Sequence, residues 1–123
     1  MNPAATHLWN GKAYPLQDVL PHQIFNAIGM HRMVALDARD PELFVNDGPG
    51  DRVAVVRFQL GDSGQWLAVC VSNLWRSTGS EVIGARRGAD GRPGARFWDG
   101  GQFTTLDQIP AAIEAVVTRR GEW

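Results

Sequence analysis

The chain carries one cysteine, Cys70, and three histidines, His7, His22 and His31. A catalytic thiol needs its pKa lowered by a helix N-terminus or a neighbouring imidazole. Cys70 sits inside LAVCVS, a run that reads as a strand and supplies neither. It is expected to be a buried structural thiol. His22 and His31 are nine residues apart, so no i, i+4 pair exists to hold a metal on one helical face. No catalytic constellation, metal site or cofactor site is expected.

Acid residues concentrate in DARDPELFVNDGPGD. Asp37, Glu42, Asp47 and Asp51 read as an acidic loop, with Asp40 as a helix cap. The spacing is not that of a calcium loop. Residues 37–51 hold five acids against Arg39, a local charge of −4.

The opposite charge lies in GARRGADGRPGAR. Its glycines match neither a P-loop nor G-x-G-x-x-G. Arg86, Arg87, Arg92 and Arg96 against Asp90 give residues 84–96 a local charge of +3. Phe97 and Trp98 follow directly, so phosphates could meet guanidinium groups beside a stacking ring. A solvated hairpin tip has the same composition. The acidic and basic segments either neutralise each other or present two faces to partners of opposite sign.

Five tryptophans are present. Trp66 is the informative one, because its alternate neighbours Ala68, Cys70 and Ser72 are small. Arg57, Arg96 and Trp98 can share that face if the strands pair as expected. Trp and Arg dominate binding hot spots, so an open face carrying both is a candidate interaction surface. The competing expectation is that a helix or loop covers Trp66 and makes it core.

These side chains need a scaffold. Leu8–Tyr14 reads as a hairpin turning at Asn10-Gly11, whose residue types suit positive φ. Leu16, Leu20, Ile24 and Ile28 recur at helical spacing, and Gly29 is placed to cap the C-terminus. Pro21 suits a first helical turn. Met33–Leu36 reads as a short strand, Asp40-Pro41-Glu42 as a brief helix start, and 46–51 as a loop. Val53–Leu60 and Gln65–Asn73 alternate around the turn Gly61–Gly64, giving the clearest antiparallel hairpin. Glu81–Arg86 and Ala95–Trp98 are weaker strands. Leu106–Arg119 closes the chain as a helix with Thr105 and Gln108 at capping-box spacing.

The two ends also match each other. Trp9-Asn10-Gly11, Tyr14, Asp18, Leu20-Pro21 and Ile24 align, at an offset of 89, with Trp98-Asp99-Gly100, Phe103, Asp107, Ile109-Pro110 and Ile113. The expectation is a hairpin–helix unit used twice, over about 8–29 and 97–120.

The length of 123 residues suits one domain with a proper core. A net charge of −1 gives no global pull toward nucleic acid or an anionic membrane. Eleven of the 12 basic residues are arginine, which is also what a GC-rich genome yields. The lone cysteine excludes an internal disulfide and points to a cytoplasmic protein. No apolar run reaches membrane-spanning length, and the N-terminus lacks the pattern of a signal peptide.

The expected fold class is α+β: an antiparallel sheet of about four to six strands with two main helices packed on the Leu67/Val69/Val71 face. The expected function is a non-enzymatic module that binds another protein, such as a small inhibitor or immunity-type protein. The named surface residues are Arg57, Trp66, Arg86, Arg87, Arg92, Arg96 and Trp98. A nucleic-acid-associated module using the 84–96 loop and a small enzyme are the alternatives.

Overall fold

The computed structural model describes residues 6–9, 12–15, 19–48, 51–72 and 80–123. Its architecture is α+β. Strands β1 (Thr6–Trp9) and β2 (Lys12–Pro15) form a separate antiparallel pair, with Trp9 opposite Lys12. Helix α1 (Pro21–Ile28) and the short α2 (Met30–Ala35) follow. The main sheet comprises β3 (Ala38–Gly48), β4 (Asp51–Leu60), β5 (Trp66–Ser72), β6 (Ser80–Arg87) and β7 (Pro93–Phe97), paired in sequence order. Its neighbouring strands are antiparallel. The two-residue β8 (Gln102–Phe103) also pairs with β6, and a 3₁₀ turn at Leu106–Gln108 leads into α3 (Ile109–Val117).

Local chemistry sets the helix ends. Pro21 opens α1, where its missing N–H would be unsatisfied in any residue. The backbone N–H of Leu20 donates to Gln23 Oε1 at 2.8 Å. Gly29, at φ 86°, closes the helix by donating its N–H to the Phe25 carbonyl. At α3, Gln108 Oε1 accepts from the backbone N–H groups of Thr104 and Thr105, at 2.8 and 3.3 Å. Residues 16–18, which the sequence includes in the first helical pattern, lie outside the described residues.

The core lies between the helices and one face of the sheet. Ala54, Val56, Phe58 and Leu60 of β4 alternate inward, as do Leu67, Val69 and Val71 of β5. Ile24 and Ile28 of α1, with Ile109, Ile113 and Val116 of α3, close against them. Each fully buried apolar side chain of this size contributes roughly 1.5–3 kcal/mol. Trp123 belongs to this core as well. Its indole donates to the Val116 carbonyl at 3.2 Å and lies flat over Gly84 of β6. A Cβ added at Gly84 would meet that ring at 2.3 Å, so only glycine fits there.

Three expectations are corrected. Met33–Leu36 is helix α2 with its cap, not a strand. Asp40 caps no helix, and residues 46–48 and 51 are strand rather than loop: they belong to the long β3–β4 pair, in register from Ala38↔Leu60 to Gly48↔Asp51, while 49–50, within the expected loop, lie outside the described residues. The register shifts by one residue between Arg39 and Glu42. Asp40 adopts φ 51° there and Pro41 follows. Aspartate tolerates the left-handed region, and proline is admitted at a bulge on an outer strand because it owes the ladder no N–H. The Asp-Pro pair that resembles a helix start is therefore a β-bulge.

The two copies of the terminal motif are built differently. The first contains the β1–β2 hairpin. In the second, β7 and β8 both run along β6, through Gly84↔Phe97 and Ser80↔Phe103. The shared residues do not specify a shared pairing. No helix among the described residues is long and apolar enough to cross a membrane.

Candidate functional site: a groove on the open sheet face

The pleat that sends Leu67, Val69 and Val71 to the core sends Trp66, Ala68, Cys70 and Ser72 to the other face. Register then places the neighbours in rows across the sheet. Trp66 stands opposite Gln59 and Ala85, and Ala85 opposite Arg96. Ala68 lies between Arg57 and Ile83, with Glu42 beyond Arg57. Cys70 lies between Val55 and Glu81, with Phe44 beyond Val55. Ser72 faces Val53, and Asn46 follows on β3.

Because the residues in the middle of these rows are small, the face is hollow. A groove of about 350 Å³ runs over it, and every described residue lining it belongs to β3–β7. Phe44, Arg57 and Trp66 form one wall. Pro93 and Arg96 form another, and Glu81 stands at the far end.

The first wall is rigid. The Arg57 guanidinium lies 5.0 Å from the Phe44 ring centre and 5.6 Å from that of Trp66. Its Nε donates to Glu42 Oε2. A planar cation held between two rings and a carboxylate has lost most of its rotamer freedom. Trp66 is only 6% exposed although it lines the groove. Its indole Nε1 is a buried donor with no acceptor, an uncommon state for a native structure. Arg96 is different. It is exposed, and among the described residues it makes no hydrogen bond or ion pair.

Burial pushes the Cys70 thiol up to about 11, with the nearby Glu81 adding to the shift and Arg96 and Arg57 opposing it. The thiol is therefore protonated at neutral pH and poorly suited to nucleophilic attack. Burial also raises Glu81 above the ordinary carboxylate range, while Arg96 pulls it back. His22 and His31 lie on α1 and α2, elements that contribute nothing to the groove lining. Among the described residues no cluster of three metal-ligating side chains exists.

The structure divides the expected surface. Arg57, Trp66 and Arg96 come together at the groove. Arg86, Arg87 and Arg92 stand exposed at the β6–β7 tip, which Asp90 stabilises by accepting the Arg92 backbone N–H at 3.0 Å. Trp98 is 47% exposed and lines a shallow cleft with Phe97, Asp99 and Gln102, which Arg96 borders as well as the groove.

Of the residues expected as an acidic loop, Glu42 and Asp47 lie on β3, Asp51 begins β4 and Asp37 immediately precedes β3. Asp37 pairs with Arg39, which also reaches Asp62. Glu42 pairs with Arg57, Asp47 stands opposite Arg52, and Asp51 begins β4 opposite Gly48. Partners for Asp37 and Glu42 thus come from their own hairpin region rather than from residues 84–96.

Phe44, Val55, Glu81 and Ile83 were missed as site residues. Alternation on β4 and β6 would have found the last three. Phe44 follows Asp40-Pro41-Glu42, whose residue types suit a helix start, so the sequence does not mark it as a strand residue. No family model, curated protein or solved structure matches the chain at a significant level.

Proposed function

We propose that this chain is a non-enzymatic binding module that seats part of another protein in the groove, in the manner of a small cytoplasmic inhibitor or immunity-type protein. One observation carries the reading. A buried tryptophan, fixed by a stacked arginine, lines a hollow on the sheet face opposite the helices. Preordered Trp and Arg side chains around a recess suit a binding hot spot, because little freedom remains to be lost on association. The protonated Cys70 thiol supports binding over covalent chemistry.

The test compares retention of protein partners from native lysate, measured by quantitative mass spectrometry, on immobilised wild type and variants. Ala68→Arg fills the groove floor, and Arg96→Ala removes an exposed wall residue. Both should release a partner that the wild type and Arg92→Ala retain, with Arg96→Ala costing about 2 kcal/mol or more. Equal retention by correctly folded groove variants would overturn the reading.

A second reading rests on the exposed Arg86, Arg87 and Arg92 beside the half-exposed Trp98, a combination that suits a nucleic-acid backbone and a stacked base. It requires affinity for DNA or RNA at low salt that falls by orders of magnitude at physiological salt. No binding at low salt removes it.

A further inference from the structure

We propose that the groove recognises its protein partner through a carboxylate set beside an apolar side chain, the carboxylate seated between Trp66 and Arg96 and the apolar group over the small floor. This rests on the groove being the binding site and adds the chemistry of what enters it.

Two donors at one end lack acceptors. The Trp66 indole N–H is buried and unpartnered, and the Arg96 guanidinium is exposed and unpaired among the described residues. They share one row of the sheet, separated only by Ala85. Adjacent strands lie about 4.8 Å apart, so the two backbones are roughly 10 Å apart. An arginine side chain is long enough to reach over the alanine methyl toward the indole. A carboxylate presents several acceptor sites on two oxygens and can serve both donors at once. Seating one there would require the indole edge to open slightly.

Arg57 is not a comparable anchor. Glu42 already occupies its Nε, and both its ring contacts are internal. Among the described residues, Arg96 is therefore the groove cation that makes no hydrogen bond or ion pair, although Glu81 feels its charge. Because it lines the same groove, Glu81 competes with the entering carboxylate and disfavours a second anion at its own end. The floor between them, from Ala68, Cys70, Ala85 and Ile83, offers apolar surface and room for one sizeable side chain. A Glu or Asp flanked by an aromatic or aliphatic residue has this pattern, as does a C-terminal carboxylate following an apolar residue.

The test uses 3-phenylpropionate and its neutral counterpart 3-phenylpropanamide as probes. Binding is followed by ¹H–¹⁵N NMR on the full chain. The Trp66 indole cross-peak is assigned by its loss in Trp66→Phe and, independently, by exclusion through Trp98→Phe and the remaining tryptophan variants. The carboxylate probe should shift the Trp66 indole peak and bind about tenfold more tightly than the amide. Arg96→Gln should abolish that preference while leaving amide binding intact.

Equal affinity for both probes, absence of any Trp66 shift, or a preference that survives Arg96→Gln would overturn the proposal. If that happens while Ala68→Arg still releases the retained partner, the groove remains the binding site and only the carboxylate anchor is wrong. If Ala68→Arg releases nothing, the proposed function itself has failed.

Discussion

Strand β5 faces two different environments. Leu67, Val69 and Val71 are sealed beneath helices, in contact with side chains from distant parts of the chain. Trp66, Ala68, Cys70 and Ser72 line a hollow with arginines on its walls. One pleat thus separates residues that hold the fold from residues available for recognition. The first set is uniformly apolar and large. The second is mixed in size and polarity, as expected where space is left for something else.

Substitution of adjacent residues tests that division most severely. Leu67→Ala should destabilise the protein by about 3 kcal/mol, within the 2–5 range for a fully buried leucine. Ala68→Ser, one residue along, should change stability by less than about 1 kcal/mol. Urea denaturation measures both. Comparable losses would mean that the groove face is also packed core.

A smaller effect concerns Cys70. Its thiol titrates near 11 in the folded protein, above the ordinary value of 9.0. The folded state therefore holds its proton more tightly than the unfolded chain. Stability is complete below about pH 9 and falls as pH rises through about 11, by on the order of 2–3 kcal/mol. Cys70→Ala should remove that part of the alkaline loss. Denaturation of both proteins at pH 8 and pH 11 isolates it, because the other titrating groups are common to both. Identical losses would place the thiol in solvent.

The smallest effect belongs to Arg57. Its side chain is 24% exposed and that of Glu42 45%, so their ion pair is screened. Arg57→Ala should cost about 1 kcal/mol, mostly through the two ring contacts. A double-mutant cycle with Glu42→Gln should assign the minor share to the ion pair. A coupling larger than the ring contribution would make this wall an electrostatic structure rather than a stacked one.

Alternation made much of this legible. The β4–β5 hairpin, its turn, its inward and outward sets and the closing helix all follow from periods of 2 and 3.6 residues. The small neighbours of Trp66 leave a hollow on that face, and Arg57 and Arg96 reach it through register. Three things were hidden. Asp-Pro-Glu has the same local chemistry at a helix start as at a bulge, and tertiary pairing decided for the bulge. Trp123 stands beyond the helical pattern, so no periodicity marks it as core. The match between the termini concerns side chains near turns, whereas strand partners depend on what β6 offers along its length.

The bulge at Asp40-Pro41 has a consequence for assembly. The long outer strand β3 is interrupted near its start by a residue without an N–H and by a backbone kink, which spoils the straight ladder that another copy of the strand would need. The sequence thereby limits stacking of one molecule on the next along that margin. A variant that straightens β3 should be judged first by its solubility.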